Sequence, residues 1–172
     1  ALDGIAAITI AEGAANEISD ILQRMRELAV QSSNDTLTST ERAYTDQEFG
    51  HLVDEIDRIS AVTNYNGMDL ISTNTAAGQR FGAGTSGSAL WIDANNTYSQ
   101  DSITITIDTL TTDTTGLSLN TDTLTSQNDA VNAISSLDNA INSVNTMRSN
   151  MGAFINRLDH AINNLDVSNT NQ

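Results

Sequence analysis

From Ile134 onward the large apolar residues recur at alternating intervals of three and four. Written as heptads, Ile134, Ile141, Arg148, Ile155 and Ile162 take the a positions, and Leu137, Val144, Met151, Leu158 and Leu165 take the d positions. Nine of these ten are apolar, which predicts a helix with a coiled-coil seam, since a 3.5-residue period keeps one stripe facing a partner. Ser126 with Asp129 three residues on predicts its N-terminal cap, and the pattern runs to about Ser168. The flanks are Asn, Ser and Asp, poor helix formers, so this helix is expected to need partners.

The beginning of the chain supplies them. Ile8, Ala11, Ala15, Ile18, Leu22, Met25 and Ala29 keep the same spacing and predict a first helix over about 3–33. A second stripe, Ala14, Ile21 and Leu28, widens its apolar surface, either to touch two neighbours in one bundle or to meet another subunit. Thr38 and Glu41 form a capping box for a second helix with Phe49, Leu52, Ile56 and Ile59 on its apolar face. That helix is expected to stop near Asn64, with Asn66-Gly67 as a turn and 68–72 as a short strand. Residues 73–125 change character. Three glycines in 81–87 mark a loop, and Ile103, Ile105 and Ile107 alternate with polar residues as a strand. Ala89–Ile92 and 116–119 are weaker strand candidates. The expected fold is mainly α with a small β part: an elongated antiparallel helical bundle capped by β-hairpins. Its segments are 1–72 (N-terminal helical), 73–125 (hairpin and variable) and 126–172 (C-terminal helix of the same rod).

Composition fits an elongated body with a narrow seam better than a globule. Thr, Asn and Ser supply 22, 19 and 17 of the 172 residues, against seven aromatics. The net charge is −15, with seven arginines, no lysine and 22 acids, which argues against nucleic-acid or anionic-membrane binding. The absence of cysteine excludes disulfides and thiolate metal sites, and no proline interrupts a helix. No apolar run approaches the roughly 20 residues that span a bilayer, and no signal-peptide core is visible. Ala1 falls inside a periodic pattern, so the sequence reads as trimmed from a longer chain.

Candidate chemistry is sparse. His51 and His160 are isolated, and the motifs of zinc proteases, serine hydrolases and nucleotide binders are absent, so no enzyme and no cofactor are expected. Asp54, Glu55 and Asp57 cluster on a helix, where a solvated face is the simpler reading than a metal site. Trp91 reads as a packing anchor for the hairpins rather than a sugar platform. Arg148 is the misfit in the seam; Glu12, Glu27 and Asp138 are its candidate partners.

Two blocks are more specific. Residues 22–32 (LQRMRELAVQS), with EIDRI at 55–59 and NYNG at 64–67, resemble the N-terminal conserved block of bacterial flagellin. Residues 147–158 (MRSNMGAFINRL), with INNL at 162–165, resemble its C-terminal block. Together they cover about 3–72 and 116–168. The resemblance implies the rod-like inner domain of a filament protein, exported unfolded to the cell exterior without a cleaved signal peptide. The family's terminal core helices would precede Ala1 and follow Gln172, so this piece is expected to be monomeric. Implied partners are other flagellin subunits, an export chaperone, a cap protein and the Toll-like receptor that senses flagellin. Matched to the family's receptor surface are Gln23, Arg24, Leu28, Gln31 and Glu48, with Arg24 and Leu28 expected as a charged fork beside an apolar knob. Competing readings are a hook–filament junction protein and a surface adhesin or polysaccharide binder using Trp91 and Tyr98.

Overall fold

The structure is a computed structural model that describes residues 2–73, 80–82, 87–92 and 102–170, the side chains of 168 and 169 excepted. Three helices carry it: α1 (Leu2–Ser32), α2 (Ser39–Val62) and α3 (Gln127–Thr170). Two small antiparallel hairpins, β1 (Asn64–Tyr65) with β2 (Met68–Asp69) and β3 (Ser88–Trp91) with β4 (Ser102–Ile105), lie between α2 and α3 in sequence. With 44 residues, α3 is about 66 Å long. The fold is mainly α with small β pairs.

α1 and α3 run antiparallel. Gln127 at the start of α3 donates to the Ser33 carbonyl at the end of α1, Arg26 pairs with Asp138 at 2.7 Å, and Leu2 and Asp3 share a pocket with Ile162 and Leu165. The whole predicted α1 stripe is buried, together with Ala7 and Leu28; none exceeds 1 % exposure. Alanine at four of those nine positions lets α3 approach closely.

On α3 the buried face is turned from the expected one. Ala130, Leu137, Val144, Met151 and Leu158, the d row, are joined by Ala133, Ala140 and Met147, the g row. The a residues Ile134, Ile141, Ile155 and Ile162 are only half-buried, and Leu165 is 38 % exposed. The reason is that α3 has two neighbours. Besides α1, the extended strap formed by 106–125 lies along its g and c side, where Ser136 Oγ donates to Asp122. Leu165 lies at the very start of α1, beside Leu2 and Asp3, where α1 covers it only in part.

α2 begins as the capping box demands: Thr38 Oγ1 accepts from the Glu41 amide, and the Thr38 amide donates to Glu41 Oε2 at 2.7 Å. The Thr38 amide, with its hydroxyl, holds the Glu41 carboxyl below its ordinary range. Phe49 and Ile56 are buried, while Leu52 and Ile59 are half-buried. A buried hydroxyl pair, Ser32 with Thr45, and Arg42 Nε donating to the Ser32 carbonyl clamp α2 back on the end of α1.

The β parts are shorter than the sequence suggests. Asn66 and Gly67, both at positive φ (52° and 75°), turn the first hairpin tightly, and pairing ends at Asp69. Leu70, Ile71 and Ser72 then enter the core as irregular chain. The second hairpin ends at Ile105, after which the Ile107 amide donates to the Gly82 carbonyl. It rides on the start of α1 because Gly4 has no side chain: a Cβ there would lie 2.1 Å from Leu90 Cδ1. Residues 116–119 form no strand. Instead Asp113 Oδ1 accepts from the Thr115 hydroxyl, the Thr115 and Gly116 amides and the Thr111 hydroxyl, closing a polar turn.

Replacing Thr38 by Ala is expected to cost about 1 kcal/mol, and Leu137 by Ala about 2–5 kcal/mol, in urea unfolding. Unchanged midpoints for both would mean that neither the cap nor the seam carries the stability assigned to it.

Candidate functional site

The described surface offers two constructed regions: the exposed α1–α2 face, and the strap that closes the core between α2 and α3. On the first, α1 and α2 are laced by one fork. Arg24 Nε and Nη2 both donate to Glu48 Oε1, at 2.9 and 2.7 Å, and Arg24 Nη1 reaches Glu27 at 3.2 Å. Both partners remain about half exposed, so the pair is open to water and to a partner. Beside it Gln23, Arg26, Glu27, Val30 and Gln31 line a shallow depression of about 470 Å³, and Val30 is 47 % exposed.

The strap is held by side chains of α2. Asp57 accepts from the Thr112 amide and hydroxyl, both at 2.8 Å; Ser60 Oγ donates to the Leu110 carbonyl; Asp46 Oδ1 accepts from the Leu124 amide at 2.6 Å. These bonds satisfy backbone groups that no sheet pairs, while Leu110, Leu117, Leu119 and Leu124 fill the core beneath. Sequence reading missed all three holders. The available signal was polar residues next to the apolar stripe: Ser60 lies one turn beyond Ile56, and Asp46 one turn before Phe49.

The acids 54–57 therefore do not act as a cluster. Glu55 is held by Arg58, whose hydrogen bond keeps its carboxyl below the ordinary range, and Asp57 points to Thr112. Among the described residues no group of three His, Asp or Glu could hold a metal. A cleft of about 880 Å³ between the strap and α3 is lined by Arg80, Asp108 and the amides and hydroxyls of Asn139, Asn142, Ser143 and Thr146. It presents hydrogen-bonding groups but no paired acid and base.

A model of the bacterial flagellin N-terminal helical region matches residues 1–76, and one of the C-terminal helical region matches 134–172. The crystal structure of Bacillus cereus flagellin superposes with a TM-score of 0.78 at 32 % identity, covering 95 % of this chain and 86 % of that one. The chain belongs to the bacterial flagellin family. A flagellin of Clostridium tyrobutyricum is 55 % identical over 71 residues, 41 % of this chain and 19 % of that protein. One of Halalkalibacterium halodurans is 44 % identical over 91 residues, 53 % of this chain and 34 % of that protein. The chain thus spans about a third or less of the length of these curated relatives.

Within this flagellin fold, the residues matched to the receptor surface do not all share one exposed patch. Gln23, Arg24, Gln31 and Glu48 are exposed. Leu28 is not: at 1 % exposure it belongs to the core, so the expected apolar knob beside Arg24 is absent from the surface. Residues i and i+4 are offset by about 40° around a helix, and here the edge of the buried face falls between them. The one aliphatic side chain exposed in that depression is Val30.

Trp91 is 48 % exposed at the end of β3, so it does not anchor the hairpins from within; Tyr98 lies outside the described residues. Arg148 meets none of its candidate partners. Asp138 is taken by Arg26 and Glu27 by Arg24, and Arg148 Nε is buried without a hydrogen-bond partner.

One strap carboxylate is buried without full compensation. Burial pushes the Asp122 carboxyl above its ordinary range, its Oδ2 accepts no hydrogen bond, and Ser136 only weakly opposes the shift. For an acid, a raised folded pKa means that the ionised form destabilises the fold above that pKa, and the penalty disappears as pH falls through it. Asp122→Asn is therefore expected to raise the melting temperature at pH 7, with the advantage shrinking in acid. A lower melting temperature at pH 7 would show that the carboxylate has a partner.

Proposed function

We propose that this chain is the rod-forming part of a subunit of the extracellular bacterial flagellar filament. The observation that carries this reading is the long antiparallel α1–α3 seam, whose small buried residues make a stiff rod. The three segments 1–72, 73–125 and 126–172 act as one rod, and assembly into a filament provides motility. On this reading an export chaperone and a cap protein are its further partners. Deleting the encoding gene should remove filaments in electron micrographs and abolish swimming, with both restored by the gene in trans. Filaments persisting in the deletion would contradict the reading, and filament loss accompanied by flagellin spilled into the medium would favour a hook–filament junction protein.

The same surface supports recognition by the flagellin-sensing Toll-like receptor. The half-exposed Arg24–Glu48 fork, flanked by Gln23 and Gln31, presents charge and hydrogen-bonding groups at the junction of two rigid helices, and arginine is a frequent centre of binding energy. Leu28 is left out of this surface because the core holds it. Arg24→Ala and Glu48→Ala should each weaken receptor signalling at least about tenfold in concentration, with helicity by circular dichroism unchanged. Full signalling by both variants would remove the assignment.

A further inference from the structure

Five of the seven arginines are engaged inside the chain: Arg24, Arg26 and Arg58 by carboxylates, Arg42 and Arg80 by backbone carbonyls. Among the described residues no carboxylate closes on Arg148 or Arg157. Arg148 is the more telling, because it is half-buried and its Nε is withdrawn from water without an acceptor. A guanidinium in that position is stabilised when a carboxylate completes it.

Its place in the fold is defined by the Arg26–Asp138 pair. Ten residues along α3 from Asp138, Arg148 stands level with residue 16, ten residues back along the antiparallel α1. It sits in the groove between α1 and α3, on the flank away from α2, in a row with the half-buried Ile141 and Ile155. The row is thus a shallow apolar strip with one unsatisfied positive charge at its centre, on a chain of net charge −15.

The complementary feature lies on another edge of α1. Gly13, Glu17 and Asp20, at i, i+4 and i+7, form one exposed ridge; among the described residues neither acid is paired, and nothing lies within 4 Å of a Cβ at residue 13. We propose that the Ile141–Arg148–Ile155 strip of one copy seats the Gly13–Glu17–Asp20 ridge of a second copy, Arg148 taking a carboxylate from the ridge. Because the two surfaces differ, each copy keeps one of each free, and the contact repeats without limit unless the rotation closes a ring. The inference rests on the filament reading and gives it one of its lateral contacts.

The chain has no cysteine, so single cysteines report without background. Gly152, one turn beyond Arg148, also has nothing within 4 Å of a Cβ. An equimolar mixture of Gly13→Cys and Gly152→Cys chains, oxidised at high concentration, should give the mixed disulfide dimer in about tenfold excess over either same-site dimer. Arg148→Glu or Arg148→Gln in the Gly152→Cys chain should return the products to chance proportions, and Arg148→Lys should keep the excess, all with unchanged helicity. Chance proportions with Arg148 intact, or an excess indifferent to Arg148→Glu and Arg148→Gln, would overturn the proposal. Such a result beside filament loss in the gene deletion sinks this contact alone, whereas selective trapping beside intact filaments sinks the filament reading.

Discussion

The contact on which everything else depends is the antiparallel pairing of α1 with α3 through small residues. Ala7, Ala11, Ala15 and Ala29 on one helix and Ala130, Ala133 and Ala140 on the other bring the two backbones close enough for Ile8, Ile18, Leu22, Met25, Leu137, Val144 and Met151 to be fully sealed. α3 would not hold alone, since its outward faces are dominated by Asn and Ser, which favour turns over helix interiors. Pairing supplies what propensity withholds. α2, the hairpins and the strap are then placed against a surface that already exists.

Around that seam, polar groups do the locating. α2 grips the end of α1 through Ser32, Thr45 and Arg42, and it holds the strap through Asp46, Asp57 and Ser60. The strap lacks sheet partners along much of its length, so side chains answer its amides and carbonyls while its leucines go inward. Asp113 does the same for a turn within the strap, and the Thr115 hydroxyl leads the bonds that hold its carboxyl below the ordinary range. Asp122 is the counterexample, a carboxylate drawn into the same interface with one oxygen unanswered. Five of the seven arginines are engaged inside the chain, which makes the unpaired Arg148 conspicuous.

The helices were legible because their apolar residues recur with the helical period over many turns, and Thr38 with Glu41 marked the start of α2 to the residue. The rotation of the α3 face was not legible. Alanine at 133 and 140 carries no strong apolar signal, and the strap that draws the g row inward has no periodicity of its own. Leu28 was misplaced for a related reason: matching a family surface residue by residue says nothing about which side of the core boundary this chain puts it on. Asp57 looked like one of three solvated acids because its partner, Thr112, is 55 positions away. Trp91, read as a packing anchor for the hairpins, stands about half exposed at the end of β3.

The antiparallel register is the claim that most needs a direct measurement. Spin labels on Val30 and Val131, both exposed, should lie within about 25 Å of each other, given axes 8–10 Å apart. Labels on Val30 and Val167 should be about 50 Å apart, because 36 residues of α3 separate 131 from 167. Pulsed electron–electron resonance returning the short distance for the first pair and the long one for the second supports the account; the reverse order, or a broad distribution for both, contradicts it.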